Sequence, residues 1–289
     1  MDEQLLEAGW RERRVRAGEV ELHIVEAGPE DAPPVMLLHG FPEFWWGWRK
    51  LIGPLAAAGF RVIAPDLRGY NLSERPAGVA AYRLDRLAGD VASLIDALGH
   101  QRVHLVGHDW GGLVAWATAA LHQERVERLA ILDAPHPQAW RSFMMRHPTQ
   151  ALRSAYVGWF QLPFAPEAAL SALNFAMLRS TMRSSAQRGL FSQADLDTYA
   201  QAWRRPDALR AMLNCYRALA RPGAPRLGRI AVPTLVLWGE RDSFMDNRLA
   251  ASSAGRCEQA EVRLIAGATH WLHLEQPDRI ARELAAFFG

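Results

Sequence analysis

Cysteine is nearly absent from this sequence. Cys215 and Cys257 are the only two in 289 residues, with no CxxC pair and no spacing that suggests a disulfide framework. Lysine is rarer still: of 33 basic residues only Lys50 is a lysine, and the arginines are spread along the chain. The one dense basic cluster, Arg11, Arg13, Arg14 and Arg16, is interrupted by Glu12, and the formal net charge is only +2. A nucleic-acid surface needs a basic stripe with few acids in it, so no such partner is expected and the arginines read as solvated surface. No apolar run approaches the ~18 residues that a membrane helix needs. The opening stretch, MDEQLLEAGWRERR, lacks the apolar segment of a signal peptide. Metal-ligand spacings such as HExxH are missing too, so neither a metal nor another cofactor is expected. There is no internal repeat and no low-complexity tract. The expectation is a cytoplasmic protein without disulfides, a monomer or homodimer, with no nucleic-acid or membrane partner.

What is present is the composition of a folded globule, with 49% hydrophobic and 22% charged residues. The length suits one large domain with an insertion, or two small ones, and either allows a sizeable core. VELHIVEAG (20–28), VMLLHG (35–40), RVIAPD (61–66), RVHLVGHD (102–109) and RVERLAILDAP (125–135) are β-rich runs closed by turn residues. Between them, RLDRLAGDVASLIDALG (83–99) carries apolar residues at helical spacing and stops at Gly99, and WGGLVAWATAALH continues as a helix from residue 110. Strands alternating with helices predict a mostly parallel sheet. From about 136 to 225 only helix-like stretches occur, beginning at Pro166-Glu167, at Ser192 with Asp195 three residues on, and at Pro206. The turn-rich ARPGAPR (220–226) marks a boundary. Alternation then resumes with VPTLVLWG (232–239), VRLIAG (262–267) and a closing helix near 271–288. The predicted organisation is an α/β core domain, residues 1–135 and 226–289, carrying an inserted all-helical cap, residues 136–225.

Gly107-His108-Asp109-Trp110-Gly111-Gly112 lies between a buried strand and a helix. It has the form of a nucleophile elbow, G-x-S-x-G, with Asp109 where serine usually stands. So tight a turn needs nearly side-chain-free neighbours two residues either side, and Gly107 and Gly111 supply them. An aspartate capping a helix after a strand is common by itself. Here the other parts follow in the order of an α/β-hydrolase. His39-Gly40-Phe41-Pro42 follows a central strand, where the backbone N–H of Phe41, together with that of Trp110, forms an oxyanion hole. Asp242 follows a late strand in Trp238-Gly239-Glu240-Arg241-Asp242, and His270 comes last in Gly267-Ala268-Thr269-His270-Trp271. The Phe41-Pro42 bond is expected to be cis, because the turn must aim the Phe41 N–H into the site.

HGFPEFWWGWR (39–49), DLRGYNLS (66–73), GHDWGG (107–112) and LDAPHP (132–137) make the chain resemble the epoxide hydrolase branch of the α/β-hydrolase superfamily over nearly its whole length. The resemblance implies an α/β-hydrolase fold, a mostly parallel central sheet flanked by helices with the helical cap inserted. It also implies that Tyr156, in YVGWFQLPFAPE, and Tyr216, in LNCYRAL, are the epoxide-activating tyrosines of the cap. Each alone is as readily a packing residue. Asp109 would be the nucleophile, His270 the general base and Asp242 the triad acid. His39, Pro42, Trp159 and Phe160 would line the substrate pocket; Trp140 and Phe164 are further apolar cap candidates. The substrate would be a small apolar epoxide, with water as the second reactant.

These residue types suit that reaction. A carboxylate is ionised at neutral pH and attacks an sp3 carbon without a base. Ring opening releases a strongly basic alkoxide, to which a phenol can deliver a proton. The rival is a haloalkane or haloacetate dehalogenase, which shares the Asp nucleophile. Haloalkane dehalogenases resemble HGNP where this chain has Phe41. Haloacetate dehalogenases carry arginines where Trp110 and Leu113 stand, and a histidine where Gly158 stands. Asp133 is an alternative triad acid: it ends the strand before the cap, where some dehalogenases place that acid and epoxide hydrolases often have Asn.

Overall fold

A computed structural model describes residues 5–223 and 225–289. Eight strands form one sheet in the order β1-β2-β4-β3-β5-β6-β7-β8. They are β1 (Arg11–Ala17), β2 (Val20–Ala27), β3 (Pro34–Leu38), β4 (Arg61–Pro65), β5 (Val103–His108), β6 (Val126–Leu132), β7 (Thr234–Gly239) and β8 (Ala260–Ile265). The first two pair antiparallel with each other, and β2 pairs antiparallel with β4; every later pairing is parallel. Strands β3, β5 and β7 are almost wholly buried, which is why they read as continuous apolar runs.

Strand β1 gives no signal in the sequence, where its arginines read as solvated surface. Only Val15 and Ala17 are buried, so the segment has no apolar alternation to signal a strand. Its register against β2 instead brings Arg13 onto Glu26 and Arg14 onto Glu21, while Arg11 meets Glu30 and Arg16 meets Glu74. Charge along an outer strand also discourages pairing with another chain.

Core helices α1 (Arg49–Ala57), α2 (Leu84–Ala97) and α3 (Asp109–Leu121) follow β3, β4 and β5. Between β6 and β7 the chain is helical: α4 (Pro137–Met144), α5 (Pro148–Arg153), α6 (Ala155–Trp159), α7 (Ala165–Ser185), α8 (Gln193–Trp203) and α9 (Ala208–Leu219). Ser192 and Asp195 close the expected capping box on α8, each side chain accepting from the other's backbone N–H. Helix α7 is interrupted by left-handed residues Leu173, Asn174 and Phe175, whose Phe175 ring packs on Trp203. The insert is tied to the core by polar contacts: Tyr199 donates to Glu43 and Trp203 to the Pro42 carbonyl. The chain ends in α10 (Arg248–Ala254), α11 (Leu272–Glu275) and α12 (Pro277–Phe288). The turn expected at 220–226 includes Ala224, and the N-terminal stretch begins with residues 1–4; those residues lie outside the described ones. Among the described residues no helix is long and apolar enough to cross a membrane. Both cysteines are free and buried.

Candidate active site

Strand β5 ends at His108, and α3 begins at once with Asp109, whose φ of 49° lies in the left-handed region. That conformation costs a non-glycine residue of order 1 kcal/mol, and it is kept where the surrounding structure enforces it. The glycines explain the enforcement. A Cβ on Gly107 would sit 2.4 Å from the Gly111 carbonyl oxygen, and one on Gly111 would sit 2.0 Å from the Leu38 oxygen. The turn therefore closes against itself and against the end of β3, and lifts the Asp109 side chain out over the strand ends.

The loop after β3 meets it there. The Phe41-Pro42 bond is cis, as expected, and the Phe41 N–H donates to Asp109 Oδ1 at 2.8 Å. The second expected donor, the Trp110 N–H, is not hydrogen-bonded to the Asp109 carboxylate. His270 closes the arrangement, its Nε2 3.7 Å from Asp109 Oδ2 and its Nδ1 2.9 Å from Asp242 Oδ2. Asp242 is itself held by the Phe244 and Met245 N–H groups, both donating to Oδ1 at 2.7 and 3.0 Å. His108 Nε2 donates to the His270 carbonyl at 2.9 Å and so fixes the backbone of the loop.

Charge accumulates in this buried cluster. Burial pushes the Asp109 carboxyl upward, but the hydrogen bond and charge of His270 and the Phe41 N–H outweigh it, and the net pKa is lowered. Burial likewise disfavours the imidazolium of His270, and the carboxylates of Asp242 and Asp109 overcome that, raising its pKa well above the ordinary range. The resting site is an imidazolium between two carboxylates.

Two cavities of about 310 and 190 Å³ meet at this point, and Asp109, Tyr156 and Tyr216 line both. Tyr156 comes from α6 and Tyr216 from α9, their rings 6.0 Å apart, with Tyr216 edge-on to Trp110 and Phe41. Burial above all raises both phenols above their usual pKa, helped by the charge of Asp109 and, for Tyr216, by the neighbouring Tyr156, so both are protonated at neutral pH. Pro42, Trp159 and Phe160 line the smaller cavity with His270. Trp140 lines the larger one, together with Trp110 and Leu113.

Two candidates do not belong to the pocket. His39 lines neither cavity; it is fully buried, with Nδ1 donating to the Gly40 carbonyl and Nε2 accepting from the Leu67 N–H. Its ring turns toward the neighbouring strand's loop, and it holds the backbone. Phe164 is 76% exposed at the mouth of α7.

A further buried group lies behind Asp109 and is barely marked in the sequence. Glu43 Oε2 lies 3.3 Å from His108 Nδ1 and 3.5 Å from His273 Nε2, while Oε1 accepts from Tyr199. Burial pushes His273 down to about 4, so it is neutral at pH 7. The available signal was a lone carboxylate, Glu43, inside the apolar HGFPEFWW run. This trio and Asp133-Asp242-His270 are, among the described residues, the two places where three His or carboxylate atoms lie within 4.8 Å of one another.

A strained elbow with a carboxylate at its tip, an acid and a histidine arriving from later strands, and a helical insert over the strand ends define a class of hydrolase. Residues 33–277 match the family described as the alpha/beta hydrolase fold. The AB hydrolase superfamily protein YfhM of Bacillus subtilis is 41% identical over 264 residues, 91% of this chain and 92% of that protein. Epoxide hydrolase 4 of Homo sapiens is 34% identical over 280 residues, 95% of this chain and 77% of that protein. Among solved structures, an epoxide hydrolase of Bacillus megaterium in complex with an inhibitor matches with a TM-score of 0.88 at 27% identity, over 96% of this chain and 99% of that one. The chain belongs to the α/β-hydrolase family, and within it to the epoxide hydrolase branch.

Proposed function

We propose that the chain hydrolyses epoxides to vicinal diols in two steps, through an ester on Asp109. The observation that carries this reading is that two protonated phenols and one ionised carboxylate line the same cavity junction. In the first step an Asp109 oxygen attacks a ring carbon. The carbon–oxygen bond of the ring breaks, and the departing oxygen takes a proton from Tyr156 or Tyr216. The residues 136–225 act as the cap that brings those phenols.

In the second step water attacks the ester carbonyl while His270 takes its proton and Asp242 orients and charge-balances the ring. The Phe41 N–H, and the Trp110 N–H once the carbonyl is esterified, face the developing oxyanion. The ester bond then breaks, the departing diol oxygen takes the proton of the new carboxyl group, and His270 keeps the proton it took from water, which restores the imidazolium and the Asp109 carboxylate. The electrostatics support this sequence. His270 is held protonated partly by the charge of Asp109. Esterification removes that charge, so His270 passes its proton to the phenolate left by ring opening and stands as a neutral base when water attacks.

A panel of styrene oxide, an aliphatic epoxide, a haloalkane and fluoroacetate tests the reading. Diol from either epoxide, with no halide release, is the expected result. Halide release without diol would replace this reading by dehalogenation.

A further inference from the structure

A second carboxyl group stands behind the triad. Asp133 follows β6 in a left-handed conformation, φ 45°, and its side chain is fully buried. One oxygen of Asp133, one of Asp242 and a ring nitrogen of His270 lie within 4.8 Å of one another. Two carboxyl groups so close in a dry site cannot both be ionised cheaply. The hydrogen bonds decide which one is. Asp242 faces three donors: two backbone N–H groups and His270 Nδ1. Asp133 has one, the Gly239 N–H on Oδ1 at 2.7 Å, and its Oδ2 has no hydrogen-bond partner among the described residues. A bare buried carboxylate oxygen is costly, whereas a protonated one is a donor in search of an acceptor. The charged groups around it are Asp242, His270 and Glu275. Burial and the Asp242 charge raise the Asp133 pKa well above the carboxylate range.

We propose that Asp133 is the reserve acid of the triad: at rest it carries a proton and leaves the charge on Asp242, and when Asp242 is neutralised it becomes the anion that steadies His270. It is a positioning residue, acting through His270 and Asp242 without touching substrate. The inference rests on the Asp109-His270-Asp242 reading. It also explains how an aspartate can stand where the related enzymes often have Asn, since a protonated carboxyl offers the same donor as an amide.

The test is a double-mutant cycle on the rate of ester hydrolysis, read by single-turnover kinetics, with infrared spectra of the same proteins. Asp133→Asn should slow that step a few-fold, by about 2–5. Asp242→Asn should slow it by about 10–100-fold, with Asp133 taking over the charge. The double variant should lose at least about 10-fold more than the product of the two, because no anion then faces His270. A loss equal to that product overturns the inference. The infrared difference between wild type and Asp133→Asn should contain a protonated-carboxyl band, and the difference between Asp242→Asn and the double variant should lack it. No band in the first difference, or a persisting band in the second, also overturns it. The single-variant spectra stand even if the double variant does not fold: the wild-type band should be missing from Asp242→Asn as well. If Asp242→Asn left ester hydrolysis at the wild-type rate, the triad reading itself would fall first, and that outcome is distinct from all the others.

Discussion

On the core side of the cavity, Asp109, His270 and Asp242 are each fixed by hydrogen bonds from backbone groups or from one another. On the insert side, Tyr156 and Tyr216 are positioned by ring contacts with Phe160, Phe41 and Trp110. The energies differ accordingly. A hydrogen bond to a charged group contributes about 1.5–3 kcal/mol, and leaving such a group bare in the interior costs as much or more. An aromatic pair adds about 0.5–1.5 kcal/mol beyond area, and a phenylalanine keeps nearly all of it. Core-side groups are thus bound up with stability as well as chemistry. On the insert side the hydroxyls can be removed with the fold intact, so chemistry there is separable from stability.

Substitutions can break that contrast in order of effect. Asp109→Ala removes the proposed nucleophile, and turnover should fall by more than about 10^4-fold. Steady-state diol formation measures it, and activity within a factor of ten of wild type would refute the nucleophile. Replacing Tyr156 and Tyr216 together by Phe should slow epoxide opening by about 10^2–10^4-fold while the melting temperature moves little. Each single change should leave measurable opening, because the other phenol still reaches the ring oxygen. A double variant that opened epoxide at the wild-type rate would make the tyrosines packing residues.

The pH dependence of stability sharpens the core side. His270 has a folded pKa above its unfolded value of about 6.5, so its contribution is complete below that pH and is lost as pH rises through the folded value. Asp109 has a folded pKa below its unfolded value, so its contribution is present above about pH 4 and is lost as pH falls through the lowered one. The stability advantage of wild type over His270→Gln in urea should therefore shrink as pH climbs above about 6.5. An advantage that grew with pH would show that the imidazolium is not stabilised by these carboxylates. The smallest effect belongs to the insert. Ser192→Ala removes the cap of α8 and should cost about 1 kcal/mol with kcat unchanged, checked by denaturant unfolding and steady-state rates.

The same contrast governs what the sequence made legible. The elbow could be read because the turn has a steric requirement that only Gly107 and Gly111 satisfy, and steric requirements leave marks at fixed spacing. The cap tyrosines left no such mark. Their helices carry ordinary amphipathic patterning, and only the resemblance to a family singled out Tyr156 and Tyr216. Strand β1 was hidden because its side chains pair by charge and do not alternate in polarity. The Glu43-His108-His273 group was hidden for another reason. Its members come from three segments that meet only once β3 and β5 are adjacent and α11, after β8, packs beside them. His39 was placed in the pocket by its neighbours in sequence, but nothing local could say which way its ring would turn.

The central claim is that the reaction passes through an ester on Asp109 that only the second step destroys. On the proposed mechanism Asp109 attacks without a base, whereas water must be activated by His270, so His270→Gln should spare the first step and stall the second. With one equivalent of styrene oxide, intact-protein mass spectrometry of His270→Gln should show the added mass of one substrate, and digestion should place it on the peptide containing GHDWGG. An unmodified His270→Gln protein that still converted the epoxide would mean direct attack by water, and the role given to Asp109 would be wrong.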